Sequence, residues 1–179
     1  MDYRGNDLNL RGKEPSFSEI LGEISSKFKP AKHRELVFCG YGEPTMRFDI
    51  IKEISGAIRE GKLEKVPENL RIRINTNGLG SLVNGRDITP EMKGLIDCLN
   101  VSVNCADPKE WARLMRPDKA YLDKGFEGVK DFIRKALKNV PEVVMTAVEG
   151  RGCDVKALEK LAKELGVPLR LRPELENEN

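Results

Sequence analysis

Strand-like and helix-like segments alternate along almost the whole chain, and the connections between them are short. Five segments read as strands: "ELVFCG" (35–40), "LRIRINTNG" (70–78), "CLNVSVNC" (98–105), "EVVMTAVEG" (142–150) and "PLRLRPE" (168–174). Helical periodicity fills the gaps. In "PSFSEILGEISSKF" Ser16 or Ser18 can cap a helix whose Ile20, Leu21, Ile24 and Phe28 share one face. "FDIIKEISGAIREG" carries a stripe of Ile50, Ile51, Ile54 and Ile58, and Gly61 stops it. "TPEMKGLID" reads as a short helix capped by Thr89, with Pro90 in its first turn. "DPKEWARLM", "GFEGVKDFIRKALKNV" (Phe126, Val129, Phe132, Ile133 and Leu137 inward) and "DVKALEKLAKELG" supply the rest. Strands separated by helices predict a parallel sheet, either open and doubly wound or curved as a barrel.

Three strands decide between those forms. An open parallel sheet is covered on both faces, so its strands should read as nearly continuous apolar runs. Here Ile72 and Ile74 alternate with Arg71, Arg73, Asn75 and Asn77. Leu99, Val101 and Val103 alternate with Asn100, Ser102 and Asn104, and Leu169 and Leu171 with Arg170 and Arg172. Period two puts each polar set on one face, opposite the aliphatic set. With helices on the aliphatic side, the polar face lines a wet lumen. The expectation is an α/β partial (βα) barrel of five visible parallel strands.

Bulk properties narrow the function. The 179 residues carry a net charge of +2, with 39% hydrophobic and 34% charged residues, as in a soluble single domain. That balance gives no strong nucleic-acid signal. No membrane span or signal peptide is visible, so the expected location is cytoplasmic. Cys39, Cys98, Cys105 and Cys153 form no C-x-x-C pair, and most are expected to act as small buried hydrophobes. His33 reads as a solvated loop residue and Trp111 as the packed side of a surface helix.

In parallel α/β folds ligands bind beyond the C-terminal strand ends. Those ends read "GYGEPT" (40–45), "NTNG" (75–78), "VNCAD" (103–107), "VEGRG" (148–152) and "RPE" (172–174). Glu43 can accept from an ammonium or hold a loop N–H. Asn75, Asn77, Ser102 and Asn104 offer donors and acceptors to hydroxyls, and Arg170 or Arg172 can pair with a carboxylate. The plain alternative is a set of turn residues. It explains Gly42, Pro44 and Gly78 well, and inward Asn and Arg poorly.

The ordered series "FCGYGEPT", "INTNG", "VSVN", "RLMRP" and "ELGVPLRLR" resembles the radical S-adenosylmethionine superfamily, and most of all its TatD-associated branch. The resemblance spans nearly the whole chain. It implies a six-strand core that binds S-adenosylmethionine and a [4Fe–4S] cluster. One-electron reduction there yields a 5′-deoxyadenosyl radical that abstracts hydrogen from a substrate. By that resemblance Gly40, Tyr41, Gly42, Glu43 and Pro44 would meet the methionine amino group. Asn75, Asn77, Ser102 and Asn104 would face the ribose or the methionine carboxylate. Val148, Glu149 and Gly150 would lie near the adenine, and Arg170 or Arg172 near the methionine.

One departure is large. The family holds its cluster on a C-x-x-x-C-x-x-C loop after the first strand, and these 179 residues contain no such loop. The expectation is a single core domain over 1–179 lacking that strand and loop, with a frayed tail at 175–179. As such a truncated chain it would be inactive, and its electron donor and substrate are unspecified. The open edge beside "ELVFCG" is an expected site of self-association. Two rivals stand beside this reading. One is a non-catalytic S-adenosylmethionine-binding or scaffold domain that has lost the cluster. The other is a cluster-free barrel enzyme for a phosphorylated metabolite, hinted at only by "EGRGCD".

Overall fold

The computed structural model describes the backbone at 2–3 and 6–7, and the whole residues over 14–40, 42–150 and 154–174. Two short strands, β1 (Asp2–Tyr3) and β2 (Asn6–Asp7), pair antiparallel. The main body is a five-stranded parallel sheet of β3 (Glu35–Phe38), β4 (Arg71–Thr76), β5 (Cys98–Ser102), β6 (Glu142–Val148) and β7 (Leu169–Arg172). Spatial order follows chain order, β3-β4-β5-β6-β7. A doubly wound sheet reverses direction at a switch point, and this one does not. Since β3 and β7 do not pair, the sheet is an open part of a barrel.

The helices α1 (Phe17–Lys27), α2 (Phe48–Arg59), α3 (Gly80–Val83), α4 (Pro108–Met115), α5 (Gly125–Ala136) and α6 (Val155–Leu165) connect these strands. Ile72, Ile74, Leu99, Val101, Val143, Met145 and Ala147 from the sheet share one core with Ile54, Ile58, Val129, Phe132, Leu158 and Leu165 from the helices. Each fully buried side chain of this size contributes about 1.5–3 kcal/mol, so this layer dominates stability. The opposite face of β4 alternates against it, with Arg73 and Asn75 half-buried and Arg71 exposed between buried Ile72, Ile74 and Thr76. The division of the strands into an aliphatic and a polar face therefore holds.

Local sequence sets the helix ends. Ser16 caps α1 in a capping box with Glu19, each side chain bonding the other's backbone N–H. Asp107 and Asp154 cap α4 and α6 by accepting from two backbone N–H groups each. Gly61 follows α2 at φ +68° and Gly166 ends α6 at φ +74°, conformations that favour glycine.

Two expectations are corrected. The 89–97 segment holds only a 3₁₀ turn, Pro90–Met92, and Thr89 does not cap it; its hydroxyl and N–H bond Asp87 instead. Leu137 lies past the last turn of α5 and is 41% exposed, so the apolar stripe stops at Ile133 and Ala136. β3 is half-buried throughout, because it is an edge strand. The polar tail at 175–179 and Cys153 lie outside the described residues. Trp111 is fully buried, Cys98 and Cys105 are buried, and Cys39 is exposed. His33 is exposed, accepts from the Lys29 N–H and leans on Phe28.

Ile74→Ala should lower stability by about 2–5 kcal/mol in urea unfolding, whereas Leu137→Ala should stay within about 0.5 kcal/mol of wild type. Equal losses at the two positions would contradict this core boundary.

Candidate active site

Glu43 ends the connection from β3 and sits half-buried before the 3₁₀ turn Pro44–Arg47. Its carboxylate is fully engaged. Oε1 accepts from the Thr45 N–H (3.1 Å), the Thr45 hydroxyl (2.5 Å) and the Thr76 hydroxyl (2.7 Å), and Oε2 from the Asn77 N–H (2.8 Å). The loop after β3 is thus tied to the end of β4. Thr76 also accepts from the Gly78 N–H, and Asn77 Oδ1 accepts from the Leu79 N–H. Asn84 donates to the Thr45 and Gly80 carbonyls.

Two glycines make room for this arrangement. A Cβ on Gly80 would stand 2.8 Å from the Thr45 hydroxyl oxygen, and Gly78 has φ +82° with Val101 and Val129 at 2.9 Å. Gly40 needs its type for conformation, at φ +154°. Gly42 differs from Gly78 and Gly80. A Cβ there would meet nothing among the described residues within 4 Å. Packing among the described residues does not require glycine at that position.

The other proposed residues line the polar face or its rim. Asn75 is half-buried and accepts from Arg73 at 2.9 Å. Ser102 shares a hydrogen bond with Thr146 at 3.3 Å. Asn104, at φ +61°, accepts from the Val148 N–H and donates to the Met115 sulfur, closing the ends of β5 and β6 together. Arg170 and Arg172 are exposed on β7, in register with Thr146 and Val148. Pro44 starts the 3₁₀ turn. Tyr41 lies outside the described residues, as do 151–153 of "EGRGCD". Sequence reasoning missed Thr45, Thr76 and Thr146. Thr76 falls on the aliphatic parity of its strand, so alternation alone hid it.

Below the rim, the lumen face carries an ion-pair ladder. Glu35 pairs with Arg73 (2.6 Å), and Arg71 with Glu142 (2.5 Å). The Arg73 hydrogen bond holds the Glu35 carboxyl below its ordinary range, and the Arg71 hydrogen bond does the same for Glu142. The signal was available, since a glutamate opens each of β3 and β6 while β4 reads "RIR". Burial, first of all, pushes the Cys98 thiol up, which disfavours a thiolate there.

A half-barrel with an aliphatic outer layer, a polar lumen and a braced loop at its C-terminal rim defines a ligand-binding (βα) fold. The family model for the radical SAM superfamily matches residues 6–165, and the chain belongs to that superfamily. No curated protein matches it. Members of the superfamily generally bind S-adenosylmethionine and a [4Fe–4S] cluster. The described cysteines, Cys39, Cys98 and Cys105, do not by themselves fit a cluster. Cys98 opens β5 at one end of the sheet, while Cys39 and Cys105 follow strands at the other. Among the described residues no three His, Cys, Asp or Glu side chains are disposed to hold a metal ion. Among them, too, no helix is long and apolar enough to cross a membrane.

Two outcomes follow. Glu43→Gln places an amide NH₂ among donors and should cost about 1–3 kcal/mol in urea unfolding, more than Thr76→Val. The lowered carboxyls of Glu35 and Glu142 contribute stability above the ordinary glutamate range, which is lost as pH falls through their folded-state values. The Glu35→Gln/Glu142→Gln variant should therefore be less stable at neutral pH. Its unfolding midpoint should also fall less steeply than wild type between about pH 5 and 3.

Proposed function

We propose that this chain is the S-adenosylmethionine-binding part of a radical SAM enzyme core, of the TatD-associated branch. The observation that carries the reading is Gly42. It stands in a loop braced by Glu43, at the rim of a polar lumen, with open space among the described residues where a side chain would be. Such a backbone suits close approach by a ligand.

In this reading Gly40, Tyr41 and Gly42 present backbone to the methionine amino group, and Pro44 fixes the exit of the loop. Glu43 acts on the cofactor by holding that loop, since its oxygens already accept four hydrogen bonds. Asn75, Asn77 and Asn104 face the ribose or methionine carboxylate, Val148 to Gly150 the adenine. Arg172, at the strand end, pairs with the methionine carboxylate. In the superfamily, S-adenosylmethionine supplies a 5′-deoxyadenosyl radical when cleaved by an electron from its cluster. No cleavage step is assigned to this chain alone, because its described cysteines do not fit a cluster. In this reading the cluster thiolates come from outside the described residues, and the substrate is unassigned.

The same placement of cysteines favours one alternative, a binding or scaffold domain without radical chemistry. Anaerobic iron and sulfide loading separates the two: a longer form of the protein that binds four irons and releases 5′-deoxyadenosine supports the enzyme, and one that binds none supports the scaffold. The outer edge of β3, unpaired among the described residues, is the proposed site of self-association.

Calorimetric titration with S-adenosylmethionine tests the reading directly. Wild type should bind, and Gly42→Val should lose about tenfold or more in affinity with its unfolding midpoint unchanged. No heat at millimolar ligand, or equal binding by Gly42→Val, would refute the site.

A further inference from the structure

The charged residues of the lumen face divide into two groups. Glu35, Arg71, Arg73 and Glu142 neutralise one another in pairs. The side chains of Arg170 and Arg172 make no ion pair or hydrogen bond among the described residues, and both lie on the polar face of β7. Arg170 is the deeper of the two. Its register partner is the buried Thr146, whose hydroxyl bonds Ser102 on the next strand. These three residues form a row across β5, β6 and β7, one step inside the rim marked by Val148 and Arg172.

The row is built to receive an acceptor. The Ser102 and Thr146 hydroxyls share one hydrogen bond, in which either can donate. Among the described residues the only other acceptor for them is the Val101 carbonyl, 3.5 Å from Thr146, at the limit of a useful bond. When Thr146 donates to Ser102, the Ser102 proton is left for a ligand. Arg170 adds a fixed fork of donors and a permanent charge. Its positive field also reaches the Glu35 and Glu142 carboxyls and helps to lower them, so it acts on the lumen rather than only on bulk water. Those carboxylates are already committed to Arg73 and Arg71 and cannot neutralise it.

S-adenosylmethionine cannot neutralise both arginines either. It carries a sulfonium and an ammonium against a single carboxylate, so on balance it adds positive charge. That carboxylate is taken by Arg172 in the reading above, on which this step rests. The Arg170 guanidinium, exposed on the lumen face, is then left without a carboxylate partner. We infer that the second ligand of this lumen, the substrate, is an anion whose carboxylate or phosphate oxygens bind Arg170 beside the Ser102–Thr146 hydroxyls. Arg170 is then a specificity-determining residue, and a neutral or cationic substrate would leave its charge unopposed.

The test follows the arginine Nε–Hε signals of the whole chain by NMR, at constant ionic strength, with and without S-adenosylmethionine. The probes are sodium phosphate, sodium acetate and, as a neutral control, glycerol. The Arg170 signal should move saturably with phosphate or acetate in the millimolar range, and not with glycerol. The stronger of the two anions identifies the oxyanion chemistry. Arg170→Gln should weaken that anion by about tenfold or more, and Arg170→Lys by less. S-adenosylmethionine affinity should change by less than about threefold in Arg170→Gln.

Absence of a saturable shift at Arg170, or unchanged anion binding in Arg170→Gln, would overturn the proposal and leave the residue as a guard of the β7 edge. A tenfold loss of S-adenosylmethionine affinity in Arg170→Gln would also overturn it, by making the residue a cofactor anchor. Saturable anion binding in a chain that fails to bind S-adenosylmethionine would support the anion site and contradict the cofactor reading, so the two fail separately.

Discussion

The carboxylate of Glu43 is the constraint on which the rest of the rim depends. It gathers two hydroxyls and two backbone N–H groups from either side of the β3–β4 boundary. A part-buried acid that accepts four hydrogen bonds is stable where an unpaired one would be costly. Around it the neighbouring choices become intelligible. Thr45 and Thr76 supply hydroxyls, Gly80 yields space to Thr45, and Gly78 turns the chain at positive φ beside Val101 and Val129. The short stretches 42–45 and 76–80 are one structure built from two pieces of sequence.

That brace acts on a sheet whose two faces do different work. The outer face is aliphatic and buried under helices, and it supplies the stability. The lumen face is polar, and it sorts itself by depth. Paired charges from Glu35, Arg71, Arg73 and Glu142 occupy its lower part. Asn75, Ser102 and Thr146 follow, and the glycine loop and Asn104 form the rim. A ligand entering at the rim meets donors and acceptors rather than a dry core.

Much of this was legible in the residues. Alternation in "RIRINTN", "LNVSVN" and "LRLR" separated the two faces, and sequential strands with intervening helices gave the parallel order. The role of Glu43 was only half legible. Its charge at a strand end announced a bonded acid, but its partners Thr76 and Asn77 lie more than 30 residues away and depend on register. Leu137 continued a helical stripe in sequence that the real helix does not reach, because helix ends answer to tertiary packing as well as to period. Thr89 looked like a cap and instead closed a local turn with Asp87, a competition that serine, threonine and aspartate often win.

The central claim is that the rim opposite the ion-pair ladder is an S-adenosylmethionine site whose amine end rests on residues 40–43. A crystal structure of the chain grown with S-adenosylmethionine tests it most directly. The account predicts the cofactor lying across the C-terminal ends of the sheet, its amino group against the 40–42 backbone, with Glu43 still bonded to Thr76 and Asn77. A cofactor bound elsewhere, or a Glu43 carboxylate turned away from Thr76 to contact the ligand itself, would contradict it.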